Sequence, residues 1–340
     1  MEQPQDWTEP GAHPVADGVF RIPLPLPTDG LRAVNVYAIR MPDGGLVMVD
    51  GGWALDESRR QFEWALKEID ARLSDITRFL VTHAHRDHYT QAASIRAEYG
   101  TKVSLGIGER DSLVAMARPG ATHGGPQLAR LRRAGARPVM TALLASGFDR
   151  PVDMTDWDSP DDWIDGPGPV TDGRRLMALP TPGHTQGHLV FTDVDAGLLF
   201  AGDHVLPHIT PSIGFEYVTS ASPLAAYLDS LATIRELPDL RLLPAHGPVT
   251  DSAHRRVDEL VAHHAERLDA SVAAVTGGAS TGYEAAHVLR WTRRGRWLGE
   301  LDTLNQLLAT LETMAHLDLL VAQGRLASSL VDGVSVYSPV

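Results

Sequence analysis

Between Val19 and Asp50, short apolar runs rich in β-branched residues (VFRIPL, AVNVYAI, LVMVD) alternate with Pro, Gly and Asp breaks. That rhythm predicts meandering strands joined by tight turns. From Leu55 to Arg72 the apolar positions Leu55, Phe62, Ala65, Leu66 and Ile69 recur at helical spacing, and ITRFLVT then reads as a buried strand ending at His83. Strand, helix, strand predicts an α/β layer. A helix over Tyr89 to Tyr99 and a short strand over Thr101 to Ile107 continue it. The segment 108–169 changes character: helical pieces (DSLVAMA, PQLARLRRAG, PVMTALLASGF) give way to the acidic, proline-bearing DMTDWDSPDDWIDGPGP, and the whole is read as an inserted helical lid. Strand signals resume at RRLMALP, HLVFTDV, GLLFAGD and RLLPAH, with a helix over Ser222 to Leu237 before the last. Beyond Pro248 the pattern is helical over Thr250 to Thr276, Gly282 to Leu289 and Leu298 to Gln323, and it ends in a β-like GRLASSL/GVSVYSP pair. Three helices and a hairpin are the pattern of a small winged-helix domain, so the expected division is 15–250 and 251–340.

A chain of 340 residues can bury a full core, and its 43% hydrophobic and 21% charged residues are those of an ordinary water-soluble protein. No apolar run is long enough to cross a bilayer. The opening MEQPQDWTEPGAHP lacks the basic and apolar regions of a signal peptide, so a cytoplasmic location is expected. There is no cysteine, which excludes disulfides, thiol nucleophiles and thiolate zinc sites; any metal must rest on His and carboxylates. The net charge of −13 argues against nucleic acid and membrane surfaces as partners and favours a small-molecule substrate.

The chemistry concentrates in THAHRDHY, where three histidines and an aspartate fall within six positions at the end of a strand. Imidazoles two apart on an extended backbone point the same way, so His83 and His85 can share an ion, and the turn into the next helix re-aims Asp87 and His88 toward a second. Three further stations lie at later strand ends: His184 in TPGHTQGH, Asp203 in FAGDH and His246 in LLPAHG. His83, His85 and His184 make a three-imidazole site; Asp87, His88 and His246 make a mixed one; Asp203 can place one oxygen on each ion. Seven His and Asp ligands without sulfur suit two Zn2+, with iron or manganese as alternatives. A water held between two such cations ionises near neutral pH, which points to hydrolysis.

In this order, VDGG with Asp50, THAHRDH, TPGHTQGH, FAGD and LLPAHGP resemble the metallo-β-lactamase-fold hydrolases over about residues 15–250. The resemblance implies an αββα sandwich of two similar halves with a dinuclear site at one edge of the sheets. It implies the ligand roles above, an orienting role for Asp50, and a proton-shuttling role for Asp87. The C-terminal part, with WTRRGRWLGELD and ETMAHLDLLVAQGRL, is similar to the winged-helix tail of the subgroup that includes the endoribonuclease-like lactamase relatives. Two features depart from the family's common form. Tyr89-Thr90-Gln91 replaces a Gly-Gly turn, so that Tyr89 is expected to fill space near the site, and the insertion is larger than usual.

His204 and His208, just past Asp203, are candidates to meet a substrate oxygen. His188 is read as supporting or structural, and His13, His254, His263, His264, His287 and His316 as surface or helix residues. Trp157 and Trp163 either wall a pocket or pack. Arg293, Arg294 and Arg296 are read as a solvated turn or dimer contact, because the segment from residue 250 on holds eleven acids against eight arginines and no lysine. The leading expectation is a zinc hydrolase of a small carbonyl compound, a thioester or lactone ahead of a β-lactam, forming a homodimer through its tail. An endoribonuclease or phosphodiesterase, an iron persulfide dioxygenase, and a non-enzymatic winged-helix binding protein with a structural metal are the alternatives.

Overall fold

The computed structural model describes residues 6–26 and 30–340. The first half opens with β1 (His13–Ala16), β2 (Val19–Pro25), β3 (Ala33–Arg40) and β4 (Leu46–Val49), followed by α1 (Asp56–Glu68), β5 (Ile76–Leu80), α2 (Arg86–Tyr99) and β6 (Lys102–Gly106). The insertion supplies α3 (Arg110–Met116), α4 (Gly125–Arg133), α5 (Arg137–Ala145), β7 (Asp162–Ile164) and β8 (Gly168–Pro169). The second half contains β9 (Met177–Pro180), β10 (Leu189–Asp193), β11 (Leu198–Gly202), α6 (Pro223–Glu236) and β12 (Arg241–Pro244). Last come α7 (Ala253–Thr276), α8 (Gly282–Val288), α9 (Thr303–Ala322), β13 (Leu326–Val331) and β14 (Val334–Pro339).

These strands form a seven-stranded sheet in the order β1 to β7, a five-stranded sheet in the order β12-β11-β10-β9-β8, and the β13-β14 hairpin. β1 to β4 pair antiparallel, as short turns allow, whereas β4-β5, β5-β6 and β11-β12 are parallel and are bridged by α1, α2 and α6. Period-two alternation decides which way each strand looks. Tyr37 and Ile39 of β3 face Phe191 and Phe200 of the second sheet, while Val34, Val36 and Ala38 face the helical side with Phe62 and Ala92. The Tyr37 and Phe200 rings meet edge-on at 5.4 Å, a packing contact worth about 0.5–1.5 kcal/mol beyond burial. On the far face of the second sheet, Val190, Leu199 and Leu242 join residues of α4 to α7 and α9 in one apolar cluster. The architecture is therefore helices, sheet, sheet, helices, as expected from the sequence.

Two boundaries differ from expectation in ways that matter. α2 begins at Arg86 rather than Tyr89, so Asp87 and His88 lie in its first turn instead of a loop. β7 falls within the segment read as helical and irregular; its three residues are too few to show alternation, and its pairing with β6 secures it. Among the described residues no helix is long and apolar enough to cross a membrane.

Candidate metal centre

The strand-end hexapeptide takes its shape from its two flanks. β5 ends at Leu80 and leads into His83 and His85, with His85 extended at φ −77° and ψ 151° as the residue before α2. Asp50, held at φ 61° after β4, turns its carboxylate into this junction: Oδ1 accepts the Thr82 amide at 2.7 Å and Oδ2 accepts Nδ1 of His88 at 2.8 Å. The expected orienting part for Asp50 thus has a visible means.

The seven candidate ligands converge in two groups. Nε2 of His83 lies 2.9 Å from Nδ1 of His85, which lies 3.1 Å from Nε2 of His184, and Asp203 joins these three. Asp87, His88 and His246 form the other group. Asp203 spans both, with Oδ2 3.5 Å from Nε2 of His184 and Oδ1 3.3 Å from Nε2 of His246 and 3.7 Å from Nε2 of His88. Asp87 Oδ2 is 3.5 Å from Nε2 of His246.

The remaining hydrogen bonds reveal which ring atoms are free. Nδ1 of His88 is engaged by Asp50, Nδ1 of His184 by the Ser212 carbonyl at 2.8 Å, and Nδ1 of His246 by the Ala33 carbonyl at 2.8 Å. Each bond uses the N–H at Nδ1 of that ring, so each Nε2 is left facing the cluster. Nε2 of His88, Nε2 of His246 and Oδ1 of Asp203 are buried with no hydrogen-bond partner. Buried acceptors facing one another are costly unless a cation sits among them, and imidazoles fixed by a carboxylate or carbonyl at the far nitrogen are the usual metal ligands. The residues therefore fit a pair of divalent ions.

Charge points the same way. Burial holds His83 and His184 below the ordinary imidazole range and His85 down to about 3, so these rings are neutral donors. His88 differs: burial is outweighed by Asp50, Asp87 and Asp203, which raise it to about 10, so without an ion a proton occupies the Nε2 position that a cation would take over. Asp87 and Asp203 stay acidic despite burial because His88 and His246 face them. No lysine or arginine forms an ion pair with these carboxylates among the described residues, which leaves the pocket attractive to cations.

The other sequence candidates are placed as follows. His188 has both nitrogens engaged, Nδ1 with the Thr181 hydroxyl at 2.9 Å and Nε2 accepting the Asp203 amide at 3.2 Å, so it supports the Asp203 turn. His204 is not brought to the open side: successive residues of the turn point apart, and its ring is buried between His188 and Tyr227. His208 is exposed and lies close to Gly247, the neighbour of His246. Tyr89 is buried against Trp157, with its hydroxyl on the Asp158 carbonyl, and Trp163 packs on the same core. Arg293, Arg294 and Arg296 are exposed on a turn closed by the Trp291–Arg296 bridge. His264 and His316 are helix residues, on α7 and α9, and they face inward: both are fully buried and bonded to each other at 3.1 Å. Sequence reasoning missed Glu109 and Glu216, two buried carboxyls behind the ligand loops, because a lone Glu after a strand carries no signal.

Comparisons with known proteins identify the family. Residues 29–246 match the metallo-beta-lactamase superfamily. A metallo-beta-lactamase family protein from Thermus thermophilus superposes with a TM-score of 0.71 at 26% identity, covering 96% of this chain and 100% of that one. A beta-lactamase domain protein from Burkholderia ambifaria gives 0.80 at 25% identity, covering 97% and 94%. Among curated relatives, a beta-lactamase-like protein 2 homolog from Caenorhabditis elegans is 35% identical over 103 residues, 30% of this chain and 32% of its own length. A lactamase-like protein nscB from Arthroderma gypseum is 29% identical over 153 residues, 43% and 44% of the two chains. The aligned stretches thus span less than half the length of these curated relatives. The solved relatives extend through the insertion and the C-terminal helices, the family match covers both ligand groups, and the chain belongs to the metallo-beta-lactamase superfamily.

Proposed function

We propose that the protein is a hydrolase that carries two divalent ions, zinc foremost, and cleaves a small carbonyl compound, a thioester or lactone ahead of a β-lactam. The observation that carries this reading is the carboxylate of Asp203, with one oxygen toward each ligand group. His83, His85 and His184 would hold one ion, Asp87, His88 and His246 the other, and Asp203 both. Bound there, two divalent cations supply a water whose pKa falls from about 15.7 toward about 7, and Lewis acidity toward a carbonyl oxygen. Asp87, the most exposed of the ligand carboxylates at 16%, accepts the proton of the attacking water and returns it to the leaving group. His208 would meet a substrate oxygen, a role its exposure beside Gly247 supports. His204 is the less accessible of the two, its ring lying between His188 and Tyr227.

The net charge of −13 supports a carbonyl compound over a phosphodiester, since a polyanion would be repelled at long range. Metal analysis of the purified protein, paired with a panel of thioesters, lactones, nitrocefin and phosphodiesters, tests the reading. Asp203→Asn is expected to lower both metal content and turnover; a variant with two ions and full activity contradicts the bridging role. Cleavage of single-stranded RNA that is lost in His83→Ala would move the assignment to a phosphodiesterase, and iron content with oxygen uptake would move it to a dioxygenase.

A further inference from the structure

We infer that Glu109 is a positioning residue for the metal loops: its buried carboxylate clamps the loop of His83 and His85 to the loop of His184, so that the three imidazoles are held together before an ion arrives. The inference rests on the two-ion reading above.

Glu109 ends a single 3-10 turn after β6 and is 1% exposed. Its carboxyl, raised to about 7 by burial, accepts the Thr185 hydroxyl, and the backbone amides of Ala84 and Gly187 face it and act in the opposite, lowering direction. Ala84 lies between His83 and His85, Thr185 follows His184, and Gly187 precedes His188. One side chain thus ties together two loops that come from different sheets. The fit is close enough that side chains are excluded: a Cβ on Gly106 would lie 1.9 Å from the Gly187 carbonyl oxygen, and one on Gly187 would lie 2.3 Å from the Glu109 nitrogen. Glu216 adds a second tie on the same loop, where both of its oxygens lie 3.0 Å from the Gln186 amide. The Ser112 hydroxyl, 3.4 Å from Glu216 Oε1, braces that carboxyl in turn. Thr185 and Gln186, the two residues after His184, are therefore tied from outside the ligand set.

Among the described residues no arginine or lysine forms an ion pair with Glu109. A carboxylate buried this way is costly unless donors and nearby positive charge offset it. The Thr185 hydroxyl and the amides that face Glu109 supply part of that offset against burial and the nearby Glu216 carboxyl, and a cation held by the three imidazoles, one residue away on either loop, would supply the rest. With the loops already ordered, an ion binds without the entropy cost of assembling its ligands.

The test is zinc titration of the full chain against a competing chelator, with the visible spectrum of the cobalt(II) form as a geometric readout. Glu109→Gln is nearly isosteric but sets an amide donor against amide donors. It is expected to weaken zinc binding by about 10–100-fold and to change the cobalt spectrum while circular dichroism stays native. Glu109→Asp keeps the charge but falls one methylene short of its partners, and it serves the same purpose should the glutamine variant not fold. The control is Asp193→Asn, which breaks a buried pair with Arg174 at the end of β10 remote from His188 and is expected to lower stability without changing zinc affinity. A folded Glu109 variant with unchanged affinity and spectrum overturns the inference, as does an equal loss in Asp193→Asn. A wild-type chain that binds no divalent ion overturns the two-ion reading and this inference with it.

Discussion

At the scale of single residues, the recurring device is the histidine whose one nitrogen is spoken for. Asp50, Ser212 and Ala33 do this for His88, His184 and His246, and the freed Nε2 atoms face one another. The same logic runs outside the metal centre. Nδ1–H of His316 donates to the Glu312 carbonyl at 2.7 Å, so its Nε2 must accept from Nδ1–H of His264. His316 is therefore neutral by its hydrogen bonds, and burial, which lowers His264 to about 2 and His316 to about 4, keeps both rings neutral in the fold. The unfolded chain protonates these rings below about 6.5, so their contribution to stability is present above that pH and is lost on acidification. His264→Gln is expected to cost stability at pH 7.5 yet to flatten the decline toward pH 5, by about 2 kcal/mol for one such ring. Urea midpoints of wild type and variant across that range check it, and parallel declines refute it.

Elements place these residues. Because α2 begins at Arg86, six consecutive residues straddle a strand end and a first helical turn, which is how they serve two ligand groups. The inserted helix α4 has a comparable hold on the opposite wall. Gln127 donates to the Phe215 carbonyl at 2.7 Å, and Arg130 donates to the carbonyls of Phe215 and Glu216. Phe215 in turn lies 6.3 Å, ring to ring, from His85. The helix thus fastens the loop that covers the three-imidazole group. Arg130→Ala removes a half-buried charged donor from two carbonyls, and a loss of about 1.5–3 kcal/mol is expected in urea denaturation. Limited proteolysis is expected to cut this variant faster within 212–219; unchanged stability and cleavage would show that the tie is dispensable.

On the scale of the whole molecule, the helices after residue 250 complete a core. Val257, Leu260 and Leu268 of α7 and Leu307, Leu311 and Leu320 of α9 share one cluster with Val190 and Leu199 of the second sheet and Tyr227 and Leu231 of α6. Arg256 of α7 also donates to the carbonyls of Leu206 at 2.6 Å and Ile209 at 2.9 Å, in the loop that carries His208. Burial is worth about 25 cal/mol per Å2 of apolar surface, so stripping this face leaves a large uncovered patch. A chain ended at residue 250 is expected to bind a hydrophobic dye and to aggregate in size-exclusion chromatography. A monodisperse, metal-binding fragment would show that the first 250 residues hold their own core.

The sequence alone determined the alternation of strands and helices, the two β-rich halves and the strand-end positions of His83, His85, Asp87, His88, His184, Asp203 and His246. These were legible because period and motif are local properties of the chain. The partners that aim those side chains were not. Ser212 lies 28 residues from His184, Ala33 lies 213 from His246, and both act through backbone carbonyls that every residue possesses. Glu109 and the His264–His316 pair were equally silent, since their roles arise from burial between elements distant in sequence. Which nitrogen faces inward, which histidine stays under the site and which loops are tied together were decided only when the two sheets packed, because hydrogen bonding in a dry interior depends on what lies across the interface and not on what lies next in the chain.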